Sequence, residues 1–350
     1  MPKNEPPRDA TGKKSPGGAG ERRPTDAADL PRMGGIALKN GLILVSEKHW
    51  AAAVRDAAGL ISVASGVKPR VVAQRAPGTR PGAPGEGTGG IPVLRGLGRF
   101  GETLLVLAQA KMSLPGAELP LEGGRIVAAL GAALGANAAV RALAPKSPLV
   151  QEVGGAVAAF IPAVVALKNS PISGYHGAEH KVIGGREALA RMKSIASAAG
   201  SAAATVRESS AVATSRGSGE RARATRAAAQ RAAVERAAAS GAASKEHDRC
   251  GTNLVGPYLL ATVATNLLAR GRSGRKSPAA SAVAGAASLG LAIEALRWAT
   301  THGDNIVARI MLAPGRLLQK QLTTSEPTAE QLEVGERAMD ELLRLEGAAG

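Results

Sequence analysis

The residues with the clearest chemical potential form a short motif of the type H-x-x-E-H. It consists of His176, Glu179 and His180. On a helix, positions i and i+4 share a face, so the two imidazoles can bind one metal ion, although Gly177 lowers the local helix propensity. In motifs of this type the metal acidifies a bound water, and the glutamate takes the proton from that water.

A second motif, H-x-x-C, supplies candidates for the third ligand that a zinc site requires. It contains His247 and Cys250, the only cysteine of the chain. Taken separately, these two residues are typical of an exposed histidine and an inert small thiol. Together with His176 and His180, either one completes a site for a divalent transition metal, most readily zinc, with the fourth position left to water.

Composition and charge narrow the class of protein. Lys and Arg total 44 against 28 Asp and Glu, for a formal charge of +16, while aromatic residues make up only 2% of the 350 residues. So few aromatics are atypical of a large soluble core, and one cysteine excludes an internal disulfide framework. The sequence shows neither aromatic platforms nor a reading helix, so we expect no nucleic-acid partner. It also lacks a phosphate-binding loop of the G-x-x-x-x-G-K-[ST] type.

Apolar segments predict a mainly α-helical, multi-pass membrane protein with about four transmembrane helices and a small β-containing N-terminal part. Each segment has about the length needed to cross ~30 Å of hydrocarbon, which makes the lipid bilayer the expected partner. The alternative is that they are four alanine-rich core helices of a soluble protein. A fifth stretch, Thr103–Leu114, is too short to span and is expected at the membrane interface. The four segments are Ile126–Ala144, Leu149–Leu167, Leu254–Ala269 and Ala279–Trp298.

The order of these segments predicts the organisation of the chain. The two motifs flank a low-complexity insert rich in Ala, Arg, Ser and Glu, which we interpret as a solvated spacer. Thr328–Glu346 has the spacing of an amphipathic surface helix. The predicted regions are a disordered tail (1–32), a small β-rich unit (33–70), a linker (71–90), an interfacial helix with the first hairpin and H-x-x-E-H (91–185), the insert (186–245), H-x-x-C with the second hairpin (246–300) and a cytoplasmic C-terminal region (301–350).

The distribution of basic residues predicts the orientation in a bacterial inner membrane. Long basic sections lie at the N-terminus and at Lys168–Asn253, and such sections favour the cytoplasmic side. Both motifs are therefore expected to face the cytoplasm. The basic residues between Arg270 and Lys276 would then lie outside, against this rule.

Several stretches together resemble the YqhQ-like family of bacterial multi-pass membrane proteins. The similarity lies in YHGAEHK (Tyr175–Lys181), HDRCGTN (His247–Asn253), MGGIALKNG (Met33–Gly41), PVLRGLGRFGETLL (Pro92–Leu105) and APGRLLQKQLTTSEP (Ala313–Pro327). The chain departs from the family at 1–32, at 70–90 and at roughly 187–244. The resemblance implies a metal-dependent enzyme whose two signature motifs bind the metal.

The residues and the resemblance lead to one functional hypothesis with a rival. The hypothesis is a metal-dependent membrane enzyme, hydrolytic, with its site at the cytoplasmic surface and Glu179 as the general base. The rival is a non-enzymatic membrane scaffold or transport-associated protein in which these residues form a structural site. A closed set of four ligands favours the rival, and an open position favours the enzyme.

Overall fold

A computed structural model describes residues 30–71, 91–120, 124–144, 147–168, 170–204, 230–247 except 233, 250–270 and 277–347. Most of the predicted tail (1–32) and linker (71–90), and the central part of the predicted insert, lie outside the described residues.

A four-stranded antiparallel sheet forms the N-terminal part of the described chain, as the short apolar runs predict. Its strands are β1 (Gly34–Ala37), β2 (Gly41–Val45), β3 (His49–Arg55) and β4 (Ile61–Val67), and they pair in sequence order. Gly59 adopts a φ of 86° in the turn before β4, a conformation that glycine adopts without steric cost.

Both faces of this sheet are covered, so it is not a separate unit. Leu42 and Leu44 face one way and join the largest apolar cluster, while Ile43 and Trp50 face the other way and pack on Val106. Successive residues of a strand point to opposite faces, so a strand buried on both sides reads as a continuous apolar run. The sheet is therefore the middle layer of the fold.

Helices make up most of the remaining described chain. Two short elements accompany the α-helices, the 3₁₀ turn Gly251–Leu254 and the π-helix Gln319–Thr323. The helices are α1 (Pro92–Ser113), α2 (Gly124–Leu143), α3 (Pro148–Leu167), α4 (Pro171–Ala204), α5 (residues 230–242, with 233 not described), α6 (Val255–Leu268), α7 (Pro278–Thr301), α8 (Ile306–Leu318) and α9 (Ala329–Leu345).

Two of the four apolar segments are long and apolar enough to cross a membrane. These are α3, with a mean hydropathy of 1.8, and the Ala279–Thr301 part of α7, with a mean hydropathy of 1.6. The apolar part of α2, Val127–Leu143, is shorter, and α6 has only 14 residues, which extend about 21 Å. The sequence predicts about four spanning helices, and two of the described helices have the length and composition that spanning requires. As predicted, α2 packs on α3 and α6 packs on α7.

The stretch Thr103–Leu114 is not a separate interfacial helix. Its helical part is the second half of α1, which has 22 residues and begins at Pro92. Val106 and Ala110 are buried beneath the sheet. The length prediction failed because Arg99, Gly101 and Glu102 interrupt the apolar run, while the helix continues through them.

Two residues at the ends of the predicted insert pack against the core, although residues 191–195 and most described residues of α5 are exposed as predicted. Arg186 is buried and binds Glu336 at 2.7 Å and Asp340 at 2.6 Å on α9. Ser240 of α5 is also buried and donates a hydrogen bond to Glu336. The predicted boundary at residues 185 and 186 therefore falls inside α4.

The C-terminal helix α9 is amphipathic, as predicted, but its apolar face is buried. Thr328 and Gln331 form a capping box at its start. Val334, Met339 and Leu342 are fully buried against the sheet and α4. This helix thus closes one side of the core.

Candidate metal centre

Helix α4 carries the first motif. Ser170 accepts a hydrogen bond from the Ser173 N–H at 3.3 Å, and Pro171 occupies the first helical position, where a missing N–H costs nothing. His176 and His180 lie one turn apart on the same face, with ring centroids 4.5 Å from each other.

Gly177 lies within α4 without breaking it, and its position has no room for a side chain. A Cβ there would lie 2.1 Å from the carbonyl oxygen of Ser325. The same segment donates a hydrogen bond from the Ser325 N–H to the Ser173 carbonyl at 2.9 Å. Just before it, at the end of the π-helix, the Thr323 carbonyl lies 3.0 Å from Nδ1 of His176. Glycine therefore permits the contact that orients the first histidine.

Both histidines direct the same kind of nitrogen toward the centre. Nδ1 of His176 donates to the Thr323 carbonyl, and Nδ1 of His180 donates to the Lys245 carbonyl at 2.6 Å. These bonds leave Nε2 of each ring with a lone pair. Nε2 of His176 lies 2.9 Å from Sγ of Cys250, while the buried Nε2 of His180 has no hydrogen-bond partner among the described residues.

Cys250 completes a group of three donor atoms. One ring nitrogen of each histidine and Sγ of Cys250 all lie within 4.8 Å of one another. Zinc bonds of 2.0–2.3 Å in a tetrahedral arrangement place ligand atoms about 3.3–3.6 Å apart, so shifts of about 1 Å bring all three to one ion. The Thr252 N–H donates to Sγ at 3.3 Å, an outer contact of the kind that stabilises a thiolate ligand.

Burial sets the protonation of these groups. Burial lowers the pKa of His176, and burial together with the charge of His176 lowers the pKa of His180 to about 3. Both rings are therefore neutral near pH 7, which is the form that binds metals. Burial raises the pKa of Cys250 to about 12, so its thiol needs a nearby cation to ionise.

Glu179 lies on the side of the centre that faces the sheet. Burial raises its pKa to about 8, against a hydrogen bond from the Gly35 N–H of β1 that acts in the opposite direction. A Cβ at Gly35 would lie 2.7 Å from the carboxyl carbon of Glu179, so this close approach depends on glycine. The carboxyl group is also near enough to Cys250 to raise the pKa of that thiol.

His247 lies beside the three donors. Its ring centroid is 5.9 Å from that of His180, and its Nε2 is 3.7 Å from a carboxylate oxygen of Glu187. Its backbone N–H donates to the side-chain oxygen of Gln319 at 2.9 Å. The structure thus brings together His176, His180 and Cys250 and places the His247 ring at their edge.

Sequence reasoning missed several groups that hold the centre. Gln319 is fully buried and donates to Asn253, which in turn donates to the carbonyl of His247. Gln319 and Thr323 both belong to the stretch Ala313–Pro327 that resembles the YqhQ-like family, so a signal for their importance was present. The Lys245 carbonyl had no such signal, because any residue can supply a backbone acceptor.

Part of this centre lies in a stretch that is similar to a known family model. The family model described as "Protein of unknown function (DUF1385)" matches residues 229–345. The matched range includes Cys250, Gln319 and Thr323. No curated protein and no solved structure matches the chain.

Proposed function

We propose that this chain is a metal-dependent hydrolytic enzyme of the bacterial inner membrane, a member of the YqhQ-like family, with its centre at the cytoplasmic surface. The observation that carries the proposal is the buried Nε2 of His180, which has no hydrogen-bond partner among the described residues. An unsatisfied buried acceptor costs free energy, and such atoms in native proteins call for an explanation. A divalent ion shared with His176 and Cys250 supplies one.

The donor set favours zinc and an open site. Two neutral imidazoles and one thiolate are ligands that zinc prefers. Three protein donors leave a fourth tetrahedral position for water or substrate, which is the arrangement of catalytic rather than structural zinc sites. Because the described residues supply three metal donors rather than four, the arrangement favours the enzyme over the scaffold.

Glu179 is the proton carrier in this proposal. A bound zinc ion would lower the pKa of a coordinated water toward 7. Burial raises the pKa of Glu179 to about 8, and a cation in the centre would favour its ionised form. The carboxylate would then accept a proton from the attacking water, whose oxygen forms the new bond to the electrophilic atom of the substrate. The bond to the leaving group breaks, and Glu179 returns the proton to that group.

Exposed apolar side chains support the membrane location. On α3, Val157, Ile161 and Val165 are exposed, as are Val283 and Leu291 on α7. Large contiguous apolar surfaces of this kind mark contact with lipid or with another protein. In the proposal α2 and α6 join these two helices in a multi-pass bundle.

The centre lies at one end of this bundle. Helix α3 ends shortly before α4 begins, and α6 begins shortly after Cys250. At the other end of these helices, Glu152 is buried and binds Arg270 at 2.7 Å and Arg141 at 3.4 Å. The centre is therefore expected at a membrane surface, and the basic residues close to the ends of α3 and α6, such as Lys168, Lys181 and Lys245, favour the cytoplasmic one.

Metal content of the purified full chain tests the proposal. We expect about one zinc ion per chain, and His180→Ala should remove it, because two ligands rarely suffice. Glu179→Gln should retain the metal, since it leaves the three donors in place, and should abolish hydrolysis. His247→Ala is the control for the rival, because loss of metal in this variant would indicate a closed, structural set. Equal metal content in wild type and His180→Ala would refute the shared centre.

A further inference from the structure

A polar cavity of about 750 Å³ lies next to the metal centre. One wall is the part of α4 from Gly184 to Arg191, and the facing wall is the segment from Ala243 to His247. Thr300 and Thr301, at the end of α7, and Arg32 complete the lining. The volume falls within the range typical of small-molecule sites.

This cavity runs along the face of α4 that carries His180. Gly184 lies four residues after His180, so the two positions share a helix face. His247 lines the cavity, and its ring centroid is 5.9 Å from that of His180. His247 is therefore the side chain through which the cavity meets the centre.

The walls carry charges of both signs. Arg32 and Arg191 contribute guanidinium groups, and Glu187 and Glu246 contribute carboxylates. A carboxylate oxygen of Glu187 lies 3.7 Å from a guanidinium nitrogen of Arg191 and 3.7 Å from Nε2 of His247, so these polar groups lie close to one another. The apolar side chains of the lining are only alanines, so these walls suit a small polar group and offer little to an acyl chain.

We infer that this cavity binds the polar part of the substrate and that His247 contacts this part directly, with no role as a metal ligand. The group bound there is small and carries either charges of both signs or both hydrogen-bond donors and acceptors. The inference rests on the proposed function, because it takes the open position beside His180 as the place where the scissile bond lies.

Cobalt(II) loaded into the full chain in detergent provides the test, because its absorption bands report the ligand set without a known substrate. Two hydroxamates carry the same metal-binding group but different tails, glycine hydroxamate with a charged amine and hexanohydroxamate with an alkyl chain. Titration of each into the cobalt protein should perturb the bands. The glycine compound should bind at least about tenfold more tightly, a difference of about 1.4 kcal/mol.

Variants separate the cavity from the centre. Ala243→Trp should fill the cavity and abolish the effect of glycine hydroxamate while the cobalt spectrum stays unchanged. Ala237→Trp, on the exposed side of α5, is the matched control and should titrate like wild type. Ala188→Phe fills the cavity from α4 and replaces Ala243→Trp if that protein does not fold. His247→Ala should keep cobalt and weaken glycine hydroxamate by about tenfold or more.

The outcomes distinguish the two proposals. A wild-type chain that binds no cobalt refutes the proposed function itself. A cobalt protein in which the cavity-filling variants titrate like wild type, or in which hexanohydroxamate binds more tightly, refutes the inference and leaves the metal centre standing. Loss of cobalt from His247→Ala would make this residue a ligand and would also overturn the inference.

Discussion

Gly177 stands between the two histidines of the centre, so one added methyl group tests how that centre is held. A Cβ at this position would lie 2.1 Å from the carbonyl oxygen of Ser325 and 3.3 Å from Cδ of Pro327. Ordinary van der Waals contact begins near 3.4 Å. The backbone at Ser325 must therefore move away from α4 by about 1.3 Å, because no flexible side chain can absorb the overlap.

Two opposing effects set the magnitude for Gly177→Ala. Overpacking costs about 1–3 kcal/mol, and a clash with backbone belongs at the upper end. Alanine gains about 1 kcal/mol over glycine in a helix interior. We expect a net loss of about 2 kcal/mol in the free energy of unfolding. The displaced segment also carries the Thr323 carbonyl that orients His176, so metal affinity should fall about 10–100-fold, as for other outer contacts of metal ligands.

Gly184→Ala is the matched control on the same helix. Its Cβ would lie 3.4 Å from that of Ala243, which is ordinary contact, so this variant should be as stable as wild type or slightly more so. Thermal unfolding in detergent and competition with a zinc chelator measure both effects. If Gly177→Ala matches Gly184→Ala in melting temperature and zinc affinity, the packing argument is wrong.

Three further predictions concern the membrane and the insert. Carbonate washing of lysed cells should leave the protein in the pellet, because α3 and α7 expose apolar surface suited to lipid, and release into the supernatant would contradict the membrane proposal. A thiol added by Ser209→Cys should react with an impermeant reagent in inverted vesicles but not in intact cells, since basic residues close to the ends of spanning segments favour the cytoplasmic side; labelling of intact cells would reverse the orientation. Replacement of residues 205–229 by a short flexible linker should leave melting temperature and zinc content unchanged, because loop length costs only ~0.6 kcal/mol per doubling. Extending the replacement to 195–240 should lower the melting temperature, because it removes Ser240 and its bond to Glu336; equal stability of both replacements would show that α5 contributes nothing.

Much of the fold was readable from the sequence because its signals are local. The short apolar runs broken at Gly41, Asp56 and Gly59 predicted the strands, and the helices α2, α3, α6 and α7 follow the four apolar segments closely. The predictions that failed concerned the length of α1 and the environment of residues at the ends of the insert. Arg186 looked like part of a solvated insert, but its partners Glu336 and Asp340 are about 150 positions away along the chain. No local sequence pattern indicates an ion pair between residues so far apart along the chain.

The sequence identified the side chains of the candidate site, but not the groups that hold those side chains in place. The spacing of His176 and His180 already placed them on one face, and that geometry follows from the helix period alone. The contact between Glu179 and Gly35 depends on the packing of β1 against α4, and the acceptors at Thr323 and Lys245 are backbone atoms. Tertiary packing determines all three contacts, and the identity of the side chains involved does not reveal them.

His247 and Cys250, the two ends of the H-x-x-C motif, occupy different places relative to the two imidazoles. On a helix, residues three apart lie near each other on one face, so the spacing H-x-x-C allowed either residue to be the third ligand. In the structure the Cys250 N–H donates to the His247 carbonyl, and Cys250 has an extended conformation at the start of the 3₁₀ turn. Gln319 and Asn253 hold the backbone of His247 from the same buried network. Sγ thereby lies near the two imidazoles while the His247 ring lines the cavity, and in the proposal this divergence leaves the fourth position beside His180 to water or substrate.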